Sequence, residues 1–408
     1  MGPAGRTATT WHPGARRGAC RGVSRRDGHD KGPGGLSDRR GPTSPCSPAA
    51  TRSPELPGCA SRTFFPERSA PRSMSPLGAG GQSCCMVTRT RGVARESGSF
   101  ECKFYKVGLL GGEVGVPELM VRRIDVSGSG GVRLAAWEFA DPPKAGGPFA
   151  GGGPSGVLLL HGLMGRASHW AATARWLSTR HRAVALDQRG HGRSEKPADG
   201  PYTREAYVAD AEAAVEELGL GPVTLVGHAM GALTAWQLAA RRPDLVRALV
   251  VCDMRASALG AATQREWGEW FRSWPVPFAT LADVRKWFGE DDPTLERPNP
   301  ARGDFYAEVA AERADGWRPL FSRRQMLLAR ETYVHDAHWE ELALVECPAL
   351  VVRGLDGELG RAEAQEMVRV LPRGVYAEVP DAGHLVHYDQ PDGWRRVVEP
   401  FLASVLPV

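Results

Sequence analysis

The chain has 408 residues and carries 51 Lys and Arg against 47 Asp and Glu, a formal net charge of +4. No stretch reaches the ~18 consecutive apolar residues of a membrane-spanning helix, and neither a collagen-like Gly triplet nor a heptad repeat persists. The charge is unevenly distributed, because residues 1–119 hold 18 basic and 9 acidic residues whereas the remainder holds 33 and 38. The composition therefore averages two different segments, and the basic excess belongs to the first.

Residues 1–117 show no sustained period of two or 3.6 residues, and Gly, Pro and Ser interrupt them throughout. Such a segment buries too little apolar surface to offset the entropy of ordering it. We interpret it either as a basic tail without a fold or as the product of an over-extended reading frame, with Met86 or Met120 as the internal start. Its Arg pairs precede no apolar segment, so no secretory signal is predicted. Its cysteines are expected to be unpaired: Cys20, Cys46, Cys59, Cys84, Cys85 and Cys102.

An α/β domain is predicted for residues 118–408. Alternation of apolar and polar residues over 120–126 and 132–139, with Gly and Ser between them, predicts an antiparallel hairpin. The short apolar runs that follow predict buried strands at 157–160, 183–186, 223–226, 248–251, 349–352 and 375–379. Helical patterns lie near 168–179, 203–218, 230–241, 361–371 and 391–405. Strands that are apolar on both faces and alternate with helices predict a mostly parallel sheet covered by helices on both sides.

The segment 255–345 interrupts this alternation. Its pattern is helical and rich in aromatic residues, so we predict a lid that is inserted between the core segments 118–254 and 346–408. Aromatic side chains of a lid can contact an apolar ligand, although lid helices also bury such side chains against one another. The candidate ligand contacts are Trp267, Trp270 and Trp274.

Three loops that follow predicted strands carry residues suited to catalysis, at the edge where open α/β sheets bind ligands. The first contains Gly162, which lets the chain turn so that the Leu163 amide faces a cavity. The second, residues 227–231, has the spacing of a G-x-S-x-G nucleophile elbow and leaves the Met230 amide free at a helix N-terminus. The third brings His384 over the second loop. We interpret the two amides as oxyanion donors and His384 as the base.

Residues 118–408 resemble the α/β-hydrolase superfamily, in particular its esterase, lactonase and carbon–carbon hydrolase branches. The resemblance rests on four signals in order along the chain: His161-Gly162, the segment from Asp187 to Ser194, the elbow at 227–231, and Gly383-His384. It implies the α/β-hydrolase fold and a catalytic triad of nucleophile, acid and histidine. Within the second signal, Arg189 and His191 are expected to fix the loop.

The nucleophile position departs from the family pattern. Ala229 stands at the centre of the elbow, where the family has Ser, Asp or Cys. A methyl group cannot attack a carbonyl or an epoxide, so covalent catalysis by this residue is excluded. The loop that begins at His161 resembles the esterase-like branches more than the epoxide hydrolases, so we infer that Ser is the missing residue.

The acid of the triad has more than one candidate. The family often places it after the strand predicted at 349–352, where Asp356 and Glu358 flank the expected position. Some members place it one strand earlier, where Asp253 follows the predicted strand. Asp356 and Asp253 remain equal alternatives, and Glu358 is a third candidate that a helix cap would also explain.

Three functions fit these residues. The protein is an enzyme in which His384 acts without a covalent step, as a hydrolase or a nucleophile-independent lyase; or a hydrolase with weak residual activity; or a non-catalytic protein that binds a ligand. The expected partner is a small or medium apolar molecule with an ester, a lactone or a labile carbon–carbon bond. We expect no cofactor, no metal centre, no nucleic-acid partner for the folded domain and a cytoplasmic location.

Overall fold

This computed structural model describes residues 103–106, 120–140 and 156–406. The predictions for residues 1–117, including the state of their cysteines, therefore lie outside the described residues, with one exception. Lys103–Lys106 forms a strand that pairs antiparallel with residues 120–123. The folded sheet thus reaches into the segment for which the sequence predicts no fold.

Eleven strands occur in the described part of the chain. In order they are β1 (Lys103–Lys106), β2 (Met120–Ser127), β3 (Arg133–Ala140), β4 (Gly156–Leu160), β5 (Arg182–Asp187), β6 (Val223–His228), β7 (Val246–Cys252), β8 (Ala310–Arg313), β9 (Gly316–Pro319), β10 (Ala349–Gly354) and β11 (Gly374–Val379). Nine of them form one sheet in the order β1-β2-β3-β5-β4-β6-β7-β10-β11, and β8 and β9 form a separate antiparallel pair. The strands from β5 to β11 across the large sheet are parallel.

The α-helices are α1 (Ala171–Leu177), α2 (Arg204–Glu217), α3 (Met230–Arg241), α4 (Gly260–Ser273), α5 (Leu281–Lys286), α6 (Pro300–Glu308), α7 (Arg323–Val334), α8 (Trp339–Ala343), α9 (Arg361–Val370), α10 (Val386–Asp389) and α11 (Pro391–Val405). None of the described helices is long and apolar enough to cross a membrane.

Two hydrophobic cores lie on opposite faces of the sheet. Along β4, Leu158 and Leu160 pack in one core with residues of α2, α3 and α9, whereas Val157 and Leu159 pack in the other with residues of α1 and α11. Successive side chains of a strand point to opposite faces, so a strand that is apolar at every position needs a covering layer on both sides. The predicted fold, a mostly parallel sheet between two helical layers, is confirmed.

The segment between β7 and β10 contains α4 to α8 and also the β8–β9 hairpin. The sequence predicts only helices there, because each strand of the hairpin has four residues and carries no clear alternation. Gly316 occupies the hairpin with a φ of 122°, which only glycine adopts readily. The segment is tied to the core through Glu308, whose carboxylate accepts hydrogen bonds from the Tyr388 hydroxyl at 2.8 Å and from the Ser168 hydroxyl.

Candidate active site

The turn between β6 and α3 has the backbone of a nucleophile elbow. Ala229 lies at its centre with φ 47° and ψ −122°, a region that costs a residue with a Cβ on the order of 1–3 kcal/mol. The flanking glycines are required for steric reasons. A Cβ on Gly227 would lie 2.5 Å from the backbone of Ala232, and a Cβ on Gly231 would lie 2.3 Å from the Leu160 carbonyl oxygen. The elbow therefore persists although its central residue has no nucleophilic atom.

The two predicted oxyanion donors, Leu163 and Met230, border the same cavity as Ala229 and His384. Neither amide donates a hydrogen bond to another residue that the structure describes. An amide at the start of a helix has no partner within that helix, so the Met230 N–H remains available to a ligand.

The loop of Leu163 is held by buried histidines. The Met164 amide donates to His191 Nε2 at 3.1 Å, and the Gln188 amide donates to His161 Nε2 at 3.0 Å. Arg189 is fully buried and paired with the Asp210 carboxylate at 2.6 Å. Arg189 and His191 thus contact the loop framework rather than the cavity.

The structure brings His384 and Asp253 together. The His384 Nδ1–H donates to Asp253 Oδ2 at 2.8 Å, and the buried carboxylate also accepts the Glu358 amide at 2.9 Å. Asp356 lies elsewhere, since its half-exposed carboxylate pairs with Arg297. Of the alternatives that the sequence leaves open, the loop after β7 rather than the loop after β10 supplies the carboxylate next to the histidine.

Glu358, the third candidate acid, stands farther from the imidazole. Its carboxylate lies 3.9 Å from His384 Nδ1 and is 60% exposed. Burial disfavours the charged imidazolium of His384, but the charge of Glu358 and the hydrogen bond and charge of Asp253 outweigh it and raise the pKa of His384 to about 9. This raised pKa favours the imidazolium form of His384 at neutral pH.

Two further histidines lie close to His384 and are neutral. His228 donates its Nε2–H to the His384 carbonyl oxygen at 2.9 Å, and burial holds the pKa of His228 well below its usual value. His387 stacks on Trp170 at 3.9 Å between ring centroids, and burial lowers the pKa of His387 to about 3. His387 therefore packs in the core.

A cavity of about 370 Å³ connects the elbow, the histidine loop and the segment between β7 and β10. Trp267 and Trp270 line this cavity. Trp274, the third predicted contact, does not. It is 4% exposed and packs edge-to-face against Trp270 and Phe288, each at 4.8 Å between ring centroids. The prediction for Trp274 is corrected, because this indole fills the aromatic interior of the inserted segment.

Charged side chains also line the cavity. The sequence-based expectation of an apolar ligand did not anticipate them. The three cationic ones outside the histidine loop are Arg255, Arg302 and Arg330. The sequence held one signal for them. Arg330 lies on the buried face of α7 together with Met326, Ala329 and Tyr333, and a charge within an apolar stripe is uncommon.

Neither of the two described cysteines replaces the missing nucleophile. Cys252 and Cys347 are free and buried, and burial raises the pKa of the Cys252 thiol well above its usual value. Neither lines the cavity. No set of three or more His, Cys, Asp or Glu side chains within the described residues is placed to hold a metal ion.

Comparisons with known proteins agree with this architecture. Residues 157–397 match the model of the alpha/beta hydrolase family. A 2-(acetamidomethylene)succinate hydrolase from Mesorhizobium japonicum is 30% identical over 262 residues, which cover 62% of this chain and 89% of the relative. An (E)-2-((N-methylformamido)methylene)succinate hydrolase from Acinetobacter baylyi is 25% identical over 258 residues, 61% of this chain and 90% of the relative.

A solved structure of an E-2-(acetamidomethylene)succinate hydrolase superposes with a TM-score of 0.59 at 25% identity and covers 69% of this chain and 98% of its own. The elbow, the histidine loop and the strands from β5 to β11 along the chain lie within the matched residues. The chain belongs to the alpha/beta hydrolase family.

Proposed function

We propose that this protein is a hydrolase in which His384 and Asp253 activate water directly, without a covalent intermediate. The observation that carries the proposal is the hydrogen-bonded pair of Asp253 and His384 at the same cavity as a strained, nucleophile-free elbow. A backbone strain of this kind persists only when the surrounding structure imposes it. Its presence at Ala229 supports a site that still serves a reaction.

Each group in the pair has a defined task. Asp253 accepts the Nδ1–H bond and so fixes the ring orientation and the tautomer, which leaves Nε2 to accept a proton. Ala229 in place of Ser leaves a space of about one hydroxyl group, which a water molecule can occupy. The amides of Leu163 and Met230 are available to an oxygen that gains negative charge.

The proposed reaction has two steps. Neutral His384 takes a proton from water through Nε2 while the water oxygen attacks the carbonyl carbon, and the carbonyl oxygen becomes an oxyanion held by the two amides. The tetrahedral intermediate then collapses, and the Nε2–H returns its proton to the leaving group. The substrate is a small molecule with an ester, a lactone or a labile carbon–carbon bond next to a carbonyl.

A non-catalytic binding role is the second candidate. The observation that favours it is Ala229, which gives the elbow no nucleophilic atom. The raised pKa of His384 adds to it, because a protonated ring cannot take a proton from water. A lyase, in which His384 takes a proton from the substrate itself, would use the same residues and the same neutral form of the ring.

The test uses p-nitrophenyl butyrate and an ester-reactive fluorophosphonate probe on three forms of the protein. We expect the parent to hydrolyse the ester slowly without being labelled, because it has no serine at the elbow. His384→Ala should lose about 10²-fold or more of that activity, the lower end of what general acid–base catalysis contributes. Ala229→Ser should gain labelling.

Two outcomes would count against the hydrolase. If the parent turns over no ester but an apolar ligand raises its Tm, the binding role replaces it. If His384→Ala retains the parent rate, the turnover does not depend on the proposed base.

A further inference from the structure

Arg330 is a buried cation without a carboxylate partner. Its side chain on α7 is 3% exposed and lines the cavity. Its guanidinium lies 4.7 Å above the centre of the Trp267 ring, and one N–H donates to the Gln264 side-chain oxygen at 2.7 Å. No carboxylate among the described residues forms an ion pair with it.

The other two arginines of the cavity differ in this respect. Arg255 pairs with Glu363 at 2.9 Å. Arg302 pairs with the buried carboxylate of Asp292 at 2.5 Å. Each of these two arginines has a carboxylate partner in direct contact, whereas the charges of Glu358, Glu266 and Glu331 act on Arg330 from a greater distance.

Burial of an uncompensated guanidinium is costly. Taking an ion out of water carries a desolvation penalty, and a neutral amide oxygen satisfies only one of the five N–H donors of an arginine. An anion that enters the cavity would accept from the remaining donors and remove that penalty. The cavity therefore has a preformed site for a negatively charged group.

Neighbouring groups add to this site. The Tyr333 side chain lies one turn further along α7 on the same buried face and also lines the cavity, and its hydroxyl has no hydrogen-bond partner in the described part of the chain. Behind it, the buried Arg204 lies 5.9 Å from the centre of the Tyr333 ring and bonds only to neutral groups, the side chains of Thr234 and Gln237. Two buried guanidinium groups without a carboxylate in direct contact therefore lie near the Tyr333 ring.

We infer that the substrate carries a carboxylate, which binds Arg330 through paired N–H···O bonds and accepts a further bond from the Tyr333 hydroxyl. This inference rests on the proposed function in one respect only, namely that the ligand of this cavity is the substrate. The planar guanidinium matches the two oxygens of a carboxylate. A doubly charged group such as a phosphate monoester fits less well, because the exposed carboxylates of Glu266 and Glu358 also border the cavity.

The test compares two probes of almost equal shape, phenylacetate and phenylacetamide, by isothermal titration calorimetry at pH 7.5. The parent should bind phenylacetate at least tenfold more tightly than phenylacetamide. Arg330→Gln should reduce the affinity for phenylacetate by tenfold or more and leave that for phenylacetamide within about twofold. Arg330→Lys keeps the positive charge but loses the paired N–H donors of the guanidinium. Its affinity for phenylacetate should lie between those of the parent and of Arg330→Gln.

Arg324→Gln is the matched control, because it removes a cationic side chain from the same helix that is exposed and does not line the cavity. We expect it to change neither affinity by more than about threefold. Equal binding of the two probes by the parent would overturn the inference even if no Arg330 variant folds.

A carboxylate could instead bind next to the His384 imidazolium, and pH separates the two sites. Arginine stays charged throughout the accessible range, so discrimination between the probes should persist from pH 7.5 to pH 10 if Arg330 holds the carboxylate. If the discrimination between the two probes disappears above pH 9, the carboxylate binds next to His384 and the inference is contradicted. Because these readouts require no turnover, their failure leaves the proposed hydrolysis untouched, and a failure of hydrolysis leaves them valid.

Discussion

The strand-end loops and the segment between β7 and β10 both line the cavity, but they place their side chains by different means. In the loops, backbone geometry sets the positions: Ala229 and Asp253 both have positive φ angles, and glycines allow the close approach of α3 to β4. In the inserted segment, side-chain packing sets the positions, as the stack of Arg330 on Trp267 illustrates. In the proposed function, the loops would supply the catalytic groups and the packing of the insertion would determine which ligand binds.

The largest expected effect is on kcat/KM, and it distinguishes the two loops that carry the candidate triad acids. Asp253→Asn should lower kcat/KM by about 10²- to 10⁴-fold, the range that general acid–base catalysis contributes, because the ring of His384 loses its orienting charge. The matched variant Asp356→Asn removes only an exposed ion pair, which is worth about 0–1 kcal/mol, and should stay within about twofold of the parent. Steady-state kinetics on p-nitrophenyl butyrate measures both, and equal losses would refute the assignment.

The next effect concerns stability and compares a glycine of each region. Gly231→Ala places a Cβ 2.3 Å from the Leu160 carbonyl oxygen, and we expect it to lower the free energy of unfolding by about 3 kcal/mol. Gly268→Ala lies in α4, where the new Cβ would meet only Arg272 at 3.5 Å, and helix propensity should make it stabilising by up to about 1 kcal/mol. Urea denaturation measures both changes. If the two variants lose similar amounts of unfolding free energy, close backbone contact is not what requires glycine at the elbow.

A smaller effect separates two tryptophans within the insertion. Trp274→Phe should lower the free energy of unfolding by about 1–2 kcal/mol with little change in KM, because this indole is buried among other rings. Trp267→Phe should raise KM while leaving the denaturation midpoint nearly unchanged, since this ring faces the cavity. If KM changes in Trp274→Phe but not in Trp267→Phe, the sequence-based prediction that Trp274 contacts the ligand would be restored.

The difference between local backbone patterns and three-dimensional packing also explains which features the sequence predicts. The strands, most helices and the elbow follow from contiguous patterns, because apolar runs and glycine spacing act over a few residues. The choice between Asp253 and Asp356 could not be made in this way, since it depends on which of two loops reaches His384 in three dimensions. Arg330 was missed for a related reason, because nothing in α7 alone tells that its buried face lines a cavity. Strand β1 was missed because four residues are too few for a period.

The most direct test of a base that works without a nucleophile is the pH dependence of kcat/KM for p-nitrophenyl butyrate, corrected for hydrolysis in buffer. Only neutral His384 can take a proton from water, and with a pKa of about 9 it is neutral in roughly one molecule in a hundred at pH 7. The rate should therefore rise about tenfold per pH unit and level off near pH 9, and this profile should be absent from His384→Ala. A rate that does not change with pH, or a profile that His384→Ala leaves unchanged, would contradict the proposed role of His384.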